Sequence, residues 1–368
     1  DNAGLIEGAR KYRHAVVIGG GLLGLEAANG LMLRGMDVTV VHIGEWIMER
    51  QLDKVAADML QATLEAKGMK FLLARQTEAL LPARNAHGGM KGDDGAERVG
   101  AVRFKDGMEI PADLVVVAAG IRPNYALAEA AGLYCGSGRV RGIHVSDTLQ
   151  TVTDPRIYAV GECVAHRGVA YGLVAPLFEQ GKVCANHLAN FGIGRYEGSV
   201  TSTKLKVTGI DVFSAGDFGG GPGTEDIVLH DRQGGVYKRV VLKDDRIVGS
   251  VLYGDTADGA WYFQLMKDRQ SVAEIRDHLM FGQNKLGDVG HKGESRAASM
   301  PDTAEVCGCN GVCKGTIVKA IKEQGLFTLD EVKKHTKAAS SCGSCTGLVE
   351  QILAFTAGGA YQAVSASD

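Results

Sequence analysis

The sequence has neither the long apolar runs of a membrane protein nor the basic surplus of a nucleic-acid-binding protein. Although 45% of the 368 residues are hydrophobic, no stretch approaches the roughly 18 consecutive apolar residues of a membrane-spanning helix. The formal net charge is −3 and the isoelectric point is near 6.4, so the composition lacks the excess of positive charge that binds the phosphate backbone of a nucleic acid. The composition argues against both a membrane span and a nucleic-acid partner.

Redox cysteine pairs are missing from the first 300 residues, where neither C-x-x-C nor C-x-x-x-x-C occurs. Cys135, Cys163 and Cys184 stand alone there, and we predict that each is a packed thiol. No signal peptide precedes the first strand-like segment, and eight cysteines with four of them clustered suit a reducing compartment. We therefore expect a cytoplasmic location.

Four of the cysteines form the most specific pattern in the chain. Cys307 and Cys309 make a C-x-C pair, Cys342 and Cys345 make a C-x-x-C pair, and 32 residues separate the pairs. The segment Lys314–His335 between them has helical periodicity broken near Gly325, which predicts two short helices. Zinc and iron–sulfur both suit four thiolates, and four unrelated buried cysteines remain an alternative. The C-x-C arm is less typical of zinc and favours a 2Fe-2S cluster.

Residues 305–356 resemble the small ferredoxin-like domain first known from bacterioferritin-associated ferredoxin. The resemblance implies that four of the cysteines are cluster ligands, and it needs no ligand at the fifth, Cys313. The implied ligands are Cys307, Cys309, Cys342 and Cys345.

A strand–turn–helix–strand pattern near the start of the chain is typical of dinucleotide binding. The apolar run His14–Ile18 precedes G-x-G-x-x-G, a helix follows to about Leu33, and a second strand spans 37–42. In this setting Gly19 permits the tight turn, Gly21 lets a pyrophosphate approach the backbone, and Gly24 lets helix and strand pack closely. The pattern predicts a nicotinamide nucleotide at residues 19–24.

The residue at the end of the second strand departs from this pattern. The fingerprint expects an acid there to hold the adenosine ribose, whereas this sequence has His42, with Glu45 three residues later. From its place at the strand end, His42 is predicted to be a cofactor-binding residue. The departure from an acid weakens the case for strict NAD preference and leaves NADH and NADPH both open.

A second candidate cofactor-binding stretch is the glycine–acid pair Gly161 and Glu162, which follows a predicted apolar strand at Ile157–Val160. Gly161 allows a ligand near the backbone, and Glu162 can accept hydrogen bonds from sugar-like hydroxyls. Earlier in the chain, a predicted buried strand from Asp113 ends at Gly120.

These three stretches, in this order, resemble the pyridine nucleotide-disulfide oxidoreductase flavoproteins, in which an NAD-binding domain interrupts an FAD-binding domain. The resemblance implies that Gly120 helps to bind cofactor, that Gly161 and Glu162 contact FAD, and that Glu26 lies near the nicotinamide–flavin contact. The family's own FAD fingerprint does not occur here. We therefore expect that the chain begins inside a flavin domain and that a full FAD site needs residues outside it.

The predicted fold class is an α/β dinucleotide-binding domain with a β-hairpin insertion, followed by part of an FAD domain, an antiparallel α+β interface domain and a small helical 2Fe-2S domain. The predicted segments are the end of a flavin-domain linker (1–13), the NAD(P)-binding domain (14–122), the returning half of the FAD domain (123–195), the interface domain (196–284), a linker (285–302), the 2Fe-2S domain (303–358) and a tail (359–368).

This segment order, together with runs such as YGLVAPLFEQ and EVCGCNGVCKGTIVKAI, resembles the large-subunit family of assimilatory NAD(P)H nitrite reductases. The resemblance implies electron transfer from NAD(P)H through FAD to a 2Fe-2S cluster, and then to a sirohaem and 4Fe-4S half that is absent here. It also implies nitrite as substrate, a small subunit as partner and a possible homodimer. Two alternatives stay open: the electron-transfer subunit of assimilatory nitrate reductase, and a non-catalytic 2Fe-2S docking or iron-sensing module.

Overall fold

We describe the protein from a computed structural model. It describes residues 2–85, 88–89, 95, 97–137, 140–207, 209–282, 297, 300–341, 343 and 345–357. Most of the predicted linker (285–302), the tail (359–368) and Cys342 lie outside these residues. Within the described ranges, no helix combines the length and the apolar character that crossing a membrane requires.

The chain divides into two compact units, each built from two separate segments. One unit combines Asp1–Ile121 with Ser202–Gly259, and the other combines Arg122–Thr201 with Ala260–Asp368.

A parallel sheet forms the centre of the nucleotide-binding part of the first unit. Its strand order is β3 (Lys70–Leu72), β2 (Asp37–Val41), β1 (His14–Ile18), β9 (Leu114–Val117). The inner strands β1 and β2 are rich in Val, because a parallel sheet covered on both faces needs apolar residues on each. The edge strand differs from the predicted buried strand, since Val117 at its end is 68% exposed. The elements up to this point are α1 (Asn2–Lys11), β1 (His14–Ile18), α2 (Leu22–Met32), β2 (Asp37–Val41), α3 (Lys54–Ala66), β3 (Lys70–Leu72), β4 (Thr77–Pro82), β5 (Arg84–Asn85), β6 (Gly88–Gly89), β7 (Val99–Phe104), β8 (Glu109–Pro111) and β9 (Leu114–Val117).

The predicted hairpin insertion is confirmed. β7 and β8 pair antiparallel across the turn at Asp106–Gly107, and β4 joins them to complete a three-stranded sheet. Asp106 Oδ1 accepts a hydrogen bond from the Met108 N–H at 3.1 Å, which holds the turn.

The second segment of this unit forms a five-stranded antiparallel sheet with strand order β12-β13-β16-β15-β14. The strands are β12 (Ser202–Val207), β13 (Ile210–Gly216), β14 (Glu225–Asp231), β15 (Val236–Lys243) and β16 (Arg246–Tyr253). Leu205, Val212 and Val251 from this sheet share one buried cluster with Leu60 and Leu64 of α3. The two segments therefore share a single hydrophobic core.

A partly buried polar group also joins α3 to this sheet. Asp53 caps the helix by accepting from the Ala56 N–H at 3.0 Å. Its other oxygen accepts from Tyr237 Oη at 2.6 Å and from Arg239 Nη1 at 3.1 Å. Burial, together with the adjacent Asp53 carboxylate, raises the pKa of Tyr237, so the phenol remains a donor.

In the second unit, residues 122–201 contain α4 (Ala126–Ala130), the parallel pair β10 (Ile143–Val145) and β11 (Val164–His166), and α5 (Val174–Leu188). The strand predicted at Ile157–Val160 is wrong: this stretch makes only an isolated bridge between Gln150 and Tyr158. A strand needs a neighbour along its whole length, and in the described part of the chain none pairs with it. Ile157 is accordingly 41% exposed and Val160 39% exposed.

After α6 (Gly259–Lys267) and a 3-10 helix (Ala273–Phe281), the described chain resumes in a small helical segment. It contains the short antiparallel pair β17 (Glu305–Cys307) and β18 (Val312–Cys313), then α7 (Lys314–Gln324), α8 (Leu329–Thr336) and α9 (Thr346–Ala357). As predicted, Gly325 ends the first helix, in the left-handed conformation with φ 64°. The three helices enclose a common core of Ile317, Ile321, Val332, Val349, Ile352 and Leu353.

We expect Asp53→Ala to lower the free energy of unfolding by about 1–3 kcal/mol, because it removes a helix cap and two buried hydrogen bonds at once. Urea denaturation of the purified chain would measure this. Asp226→Ala is the matched control: it removes an exposed ion pair of the same arginine and should cost less than about 1 kcal/mol. Equal losses would contradict a structural role for the Asp53 group.

Candidate functional site

The glycine loop between β1 and α2 has two positions at which the fold itself requires glycine. Gly19 has φ +123°, and a Cβ there would lie 2.2 Å from the Ala118 carbonyl oxygen. A Cβ on Gly24 would lie 1.9 Å from the Gly19 carbonyl oxygen. Both distances are impossible for real atoms, so these glycines let strand, loop and helix pack together.

Gly21 differs from these two glycines because a Cβ there would meet no atom within 4 Å. Gly21 is the N-cap of α2 and has extended backbone angles that any residue can adopt. Packing therefore does not explain glycine at this position. The open space above the helix N-terminus fits a phosphate that approaches the backbone closely, where the first helical N–H groups and the helix dipole favour an anion.

His42 follows β2 as predicted, but its ring is buried rather than presented to a ligand. The residue as a whole is 7% exposed. Nδ1 accepts a hydrogen bond from the Gly20 N–H at 3.1 Å, and Nε2 lies 2.6 Å from Glu49 Oε2. Both ring nitrogens are thus hydrogen-bonded within the protein, and the predicted role of His42 in cofactor binding stays a prediction. Sequence reasoning missed Glu49, which a search for acids only at the strand end could not find.

The remaining predicted residues of this unit occupy different environments. Gly120 has φ +92° and lies two residues after Ala118. The Ala118 carbonyl oxygen is the atom that a Cβ on Gly19 would meet, so Gly120 lies near the glycine loop. Glu26 lies on an exposed face of α2, in its second turn. Its predicted position near a nicotinamide–flavin contact stays a prediction.

In the second unit, Gly161 and Glu162 lie next to a buried glutamine that the sequence did not reveal. Gly161 has φ +103° and open space where a Cβ would be. Its N–H donates to Gln180 Oε1 at 2.9 Å, and Gln180 itself is 1% exposed. Gln180 also hydrogen-bonds Tyr196, whose pKa burial raises to about 12. The hydrogen bond to the buried Gln180 therefore fixes the backbone at Gly161, while the Glu162 side chain is exposed.

Two of the four predicted cluster ligands lie together in the structure. The pKa of Cys307 is lowered to about 5, and the largest cause is a hydrogen bond with Cys345. N–H donors from Ala339 and Asn310 lower it further. Cys309 is exposed. Among the described residues, which do not include Cys342, no three His, Cys, Asp or Glu side chains are placed to hold a metal ion.

Cys313, the fifth cysteine, lies at the N-terminus of α7, where its Sγ is 3.2 Å from Thr316 Oγ1. This hydroxyl lowers the pKa of Cys313 most strongly. The thiol therefore has a hydrogen-bond partner of its own.

Asn310 connects the two loops that carry the cysteines. Its Nδ2 lies 2.7 Å from the Lys337 carbonyl oxygen, 3.0 Å from Ser341 Oγ and 3.7 Å from Cys307 Sγ. Ser341 Oγ in turn donates to Asn310 Oδ1 at 3.2 Å. The C-x-C loop is thereby fixed beside the residue that precedes Cys342.

This arrangement fits an iron–sulfur cluster. Cluster ligands are thiolates, and N–H groups directed at their sulfurs stabilise the negative charge. Cys307 has this environment: a depressed pKa, a second thiol beside it and three N–H donors.

Comparison with known proteins agrees with the geometry of both units. Residues 1–184 match the family described as pyridine nucleotide-disulphide oxidoreductase. Residues 202–270 match the C-terminal domain of rubredoxin NAD+ reductase, and residues 305–354 match the BFD-like 2Fe-2S binding domain. The fold and the glycine loop define a nicotinamide- and flavin-dependent oxidoreductase class. More particularly, the chain belongs to the pyridine nucleotide-disulphide oxidoreductase family, and it carries a 2Fe-2S domain of the BFD-like type.

Two curated relatives from Bacillus subtilis align with almost all of the chain. Nitrite reductase [NAD(P)H] is 47% identical over 99% of this chain and 42% of the relative. The assimilatory nitrate reductase electron transfer subunit is 41% identical over 98% of this chain and 44% of the relative. The chain thus spans less than half the length of either protein.

A ferredoxin reductase from Rhodopseudomonas palustris has a similar solved fold. It superposes with a TM-score of 0.62 at 24% identity, covering 76% of this chain and 66% of that one. This likeness supports the predicted fold class.

We expect Gly21→Val to weaken NAD(P)H binding by at least about tenfold while leaving the fold intact, because the branched side chain would fill open space above the loop. Titration calorimetry measures the affinity, and circular dichroism checks the fold. In contrast, Gly24→Ala should destabilise the chain, since its Cβ has no room. Wild-type affinity in the Gly21→Val protein would refute the site.

We expect Asn310→Ala to lower the reduction potential of the 2Fe-2S cluster by about 20–60 mV, the equivalent of one lost N–H···S hydrogen bond of about 0.5–1.5 kcal/mol. A spectroscopic redox titration of the reconstituted protein would measure it. Ser340→Ala is the control, because Ser340 Oγ contacts Asn310 Nδ2 at 3.3 Å and donates to the Lys337 carbonyl oxygen at 2.7 Å. Unchanged potentials in both variants would contradict a role for Asn310.

Proposed function

We propose that this chain is the electron-transfer part of an assimilatory nitrite reductase, passing electrons from NAD(P)H through FAD to a 2Fe-2S cluster. One observation carries the proposal: a pyridine nucleotide-disulphide oxidoreductase match and a BFD-like 2Fe-2S match occur in one chain, in that order. The relative with 47% identity is a nitrite reductase [NAD(P)H]. A sirohaem and 4Fe-4S half that reduces nitrite to ammonium would lie outside this chain.

Each group of residues has a separate task in this proposal. Gly21 and the N-terminus of α2 bind the pyrophosphate of NAD(P)H, while Gly19 and Gly24 shape the loop. Gly161, fixed by Gln180, and Glu162 contribute to the FAD site. When bound, FAD supplies hydride acceptance and the cluster supplies one-electron transfer. The proposed cluster ligands are Cys307, Cys309, Cys342 and Cys345.

The proposal extends to location and partners. We infer a cytoplasmic protein that uses nitrite as the final electron acceptor and associates with a nitrite reductase small subunit or with a second copy of itself. The cysteine usage supports the location, because isolated and clustered thiols suit a reducing compartment.

A second candidate is the electron-transfer subunit of assimilatory nitrate reductase. The relative with that name is 41% identical over 98% of the chain, a match of almost equal extent. In this alternative the residues keep the same tasks, and the electrons leave the cluster for a nitrate-reducing partner. A purely iron-sensing role is less well supported, since it gives no reason for the nucleotide-type loop.

The test is anaerobic addition of NADH to the full-length gene product, loaded with FAD and cluster. We expect flavin absorbance to bleach and an electron paramagnetic resonance signal of the reduced cluster to follow. Cys345→Ser should keep the flavin bleaching and lose the cluster signal. A cluster that stays oxidised while the flavin is reduced would contradict the proposal. If the full-length product is also loaded with sirohaem, NADH oxidation driven by nitrite supports the first candidate. NADH oxidation driven by nitrate only after a nitrate-reducing partner is added supports the second.

A further inference from the structure

The imidazole of His42 lies between two glycines that leave it just enough room. A Cβ on Gly20 would lie 3.0 Å from His42 Cγ, and a Cβ on Gly44 would lie 2.9 Å from His42 Nε2. The Gly44 position would also lie 3.4 Å from the Glu49 carboxyl carbon. Side chains at 20 or 44 would therefore displace the His42–Glu49 pair, so the local sequence accommodates this pair specifically.

The hydrogen bonds define which atom carries the proton. The Gly20 N–H can only donate, so His42 Nδ1 must accept and the neutral ring carries its proton on Nε2. That proton then points to Glu49 Oε2, 2.6 Å away, and the carboxylate acts as acceptor. His42 thereby connects the backbone of the glycine loop to an ionised carboxylate.

Glu49 is held beside the loop from a second direction as well. The Met48 N–H donates to the Gly20 carbonyl oxygen at 2.9 Å, so the residue before Glu49 is tied to the same glycine that contacts His42. The Glu49 side chain is 37% exposed, whereas that of His42 is 8% exposed. The carboxylate therefore reaches solvent next to the loop, while the ring that orients it does not.

Dinucleotide-binding folds place an acid at this position, at the end of the second strand, to accept hydrogen bonds from the adenosine ribose. In this chain the strand-end residue is a histidine that cannot do so, and an acid seven residues later is brought back to it. We propose that Glu49 recognises the ribose hydroxyls of the bound nucleotide and selects NADH over NADPH, with His42 as its positioning residue. The inference rests on the proposed function only in requiring a nicotinamide nucleotide at the glycine loop.

Charge explains the selectivity. An ionised carboxylate accepts from the 2′-hydroxyl of NADH and repels the 2′-phosphate of NADPH. Arg50 and Lys54 follow Glu49 in sequence; Arg50 is exposed, and Lys54 forms an ion pair with Asp58. Arg75 lies near His42 because its N–H donates to the His42 carbonyl oxygen at 3.0 Å, and its guanidinium forms an ion pair with Asp106. Arg50 is thus the residue that could favour a 2′-phosphate instead, and its variant tests the opposite preference.

The experiment measures NADH and NADPH affinities of the chain by titration calorimetry, for wild type, Glu49→Gln, Glu49→Asp, His42→Ala and Arg50→Gln. We expect wild type to prefer NADH. Glu49→Gln should weaken NADH binding by about 10–100-fold, the loss of one hydrogen bond to a charged group, and should not weaken NADPH binding. Glu49→Asp keeps the charge and should keep the preference for NADH.

His42→Ala should reduce the preference in the same direction as Glu49→Gln, because the carboxylate loses its orientation. Arg50→Gln should still bind NADH more tightly than NADPH. Glu45→Gln is the matched control, an exposed acid of the same loop, and should change neither affinity.

Three results would overturn the inference. They are a wild-type preference for NADPH, a Glu49→Gln protein with wild-type selectivity, and equal losses for both nucleotides, which would indicate a disturbed loop. If the wild-type chain binds neither nucleotide, the proposed function fails together with this inference. If it binds and Glu49→Gln leaves selectivity unchanged, only the inference fails.

Discussion

The contact between Gly24 and the Gly19 carbonyl determines how the nucleotide-binding part is built. A Cβ at Gly24 would lie 1.9 Å from that oxygen, so the helix and the strand-end turn touch through bare backbone. Because of this close approach, α2 begins directly above the carboxyl end of β1. The same contact leaves Gly21 facing open space, which makes room for a phosphate at the helix N-terminus. The glycine spacing that allows the close packing therefore also sets the position of the proposed phosphate site.

A second constraint operates in the cysteine-bearing segment. Its three helices have their own apolar core, and the described cysteines lie outside them. Cys307, Cys309 and Cys313 belong to the β17–β18 pair that precedes α7, and Cys345 lies immediately before α9. A loop alone does not fix a sulfur in place, and here the side chain of Asn310 supplies the missing link between the loops. The hydrogen bond with Cys345 lowers the pKa of Cys307 most, and N–H donors from Ala339 and Asn310, on the two sides of that link, lower it further. The packed helices and the hydrogen bonds of Asn310 together fix the backbone that carries the sulfurs.

Sequence reasoning located helices and strands correctly where a local rule determines the structure. Alternation, caps and glycine spacing located β1, α2 and the two helices after Cys313, because each depends on neighbours in the chain. The strand predicted at Ile157–Val160 did not form, since a strand also depends on a partner that local sequence does not contain. The His42–Glu49 pair, Gln180 and Asn310 were missed for a related reason. Each acts through a tertiary hydrogen bond that periodicity cannot reveal.

The Asp53 group has a consequence for the order in which the protein folds. It joins α3 to β15 across more than 180 residues of chain, and the hydrophobic core of that unit spans the same separation. Residues 122–201, which lie between the two segments, belong to the other unit. During synthesis the nucleotide-binding segment must therefore wait, with part of its core uncovered, until the five-stranded sheet has left the ribosome. Such long-range closure slows folding and leaves apolar surface exposed for longer during synthesis.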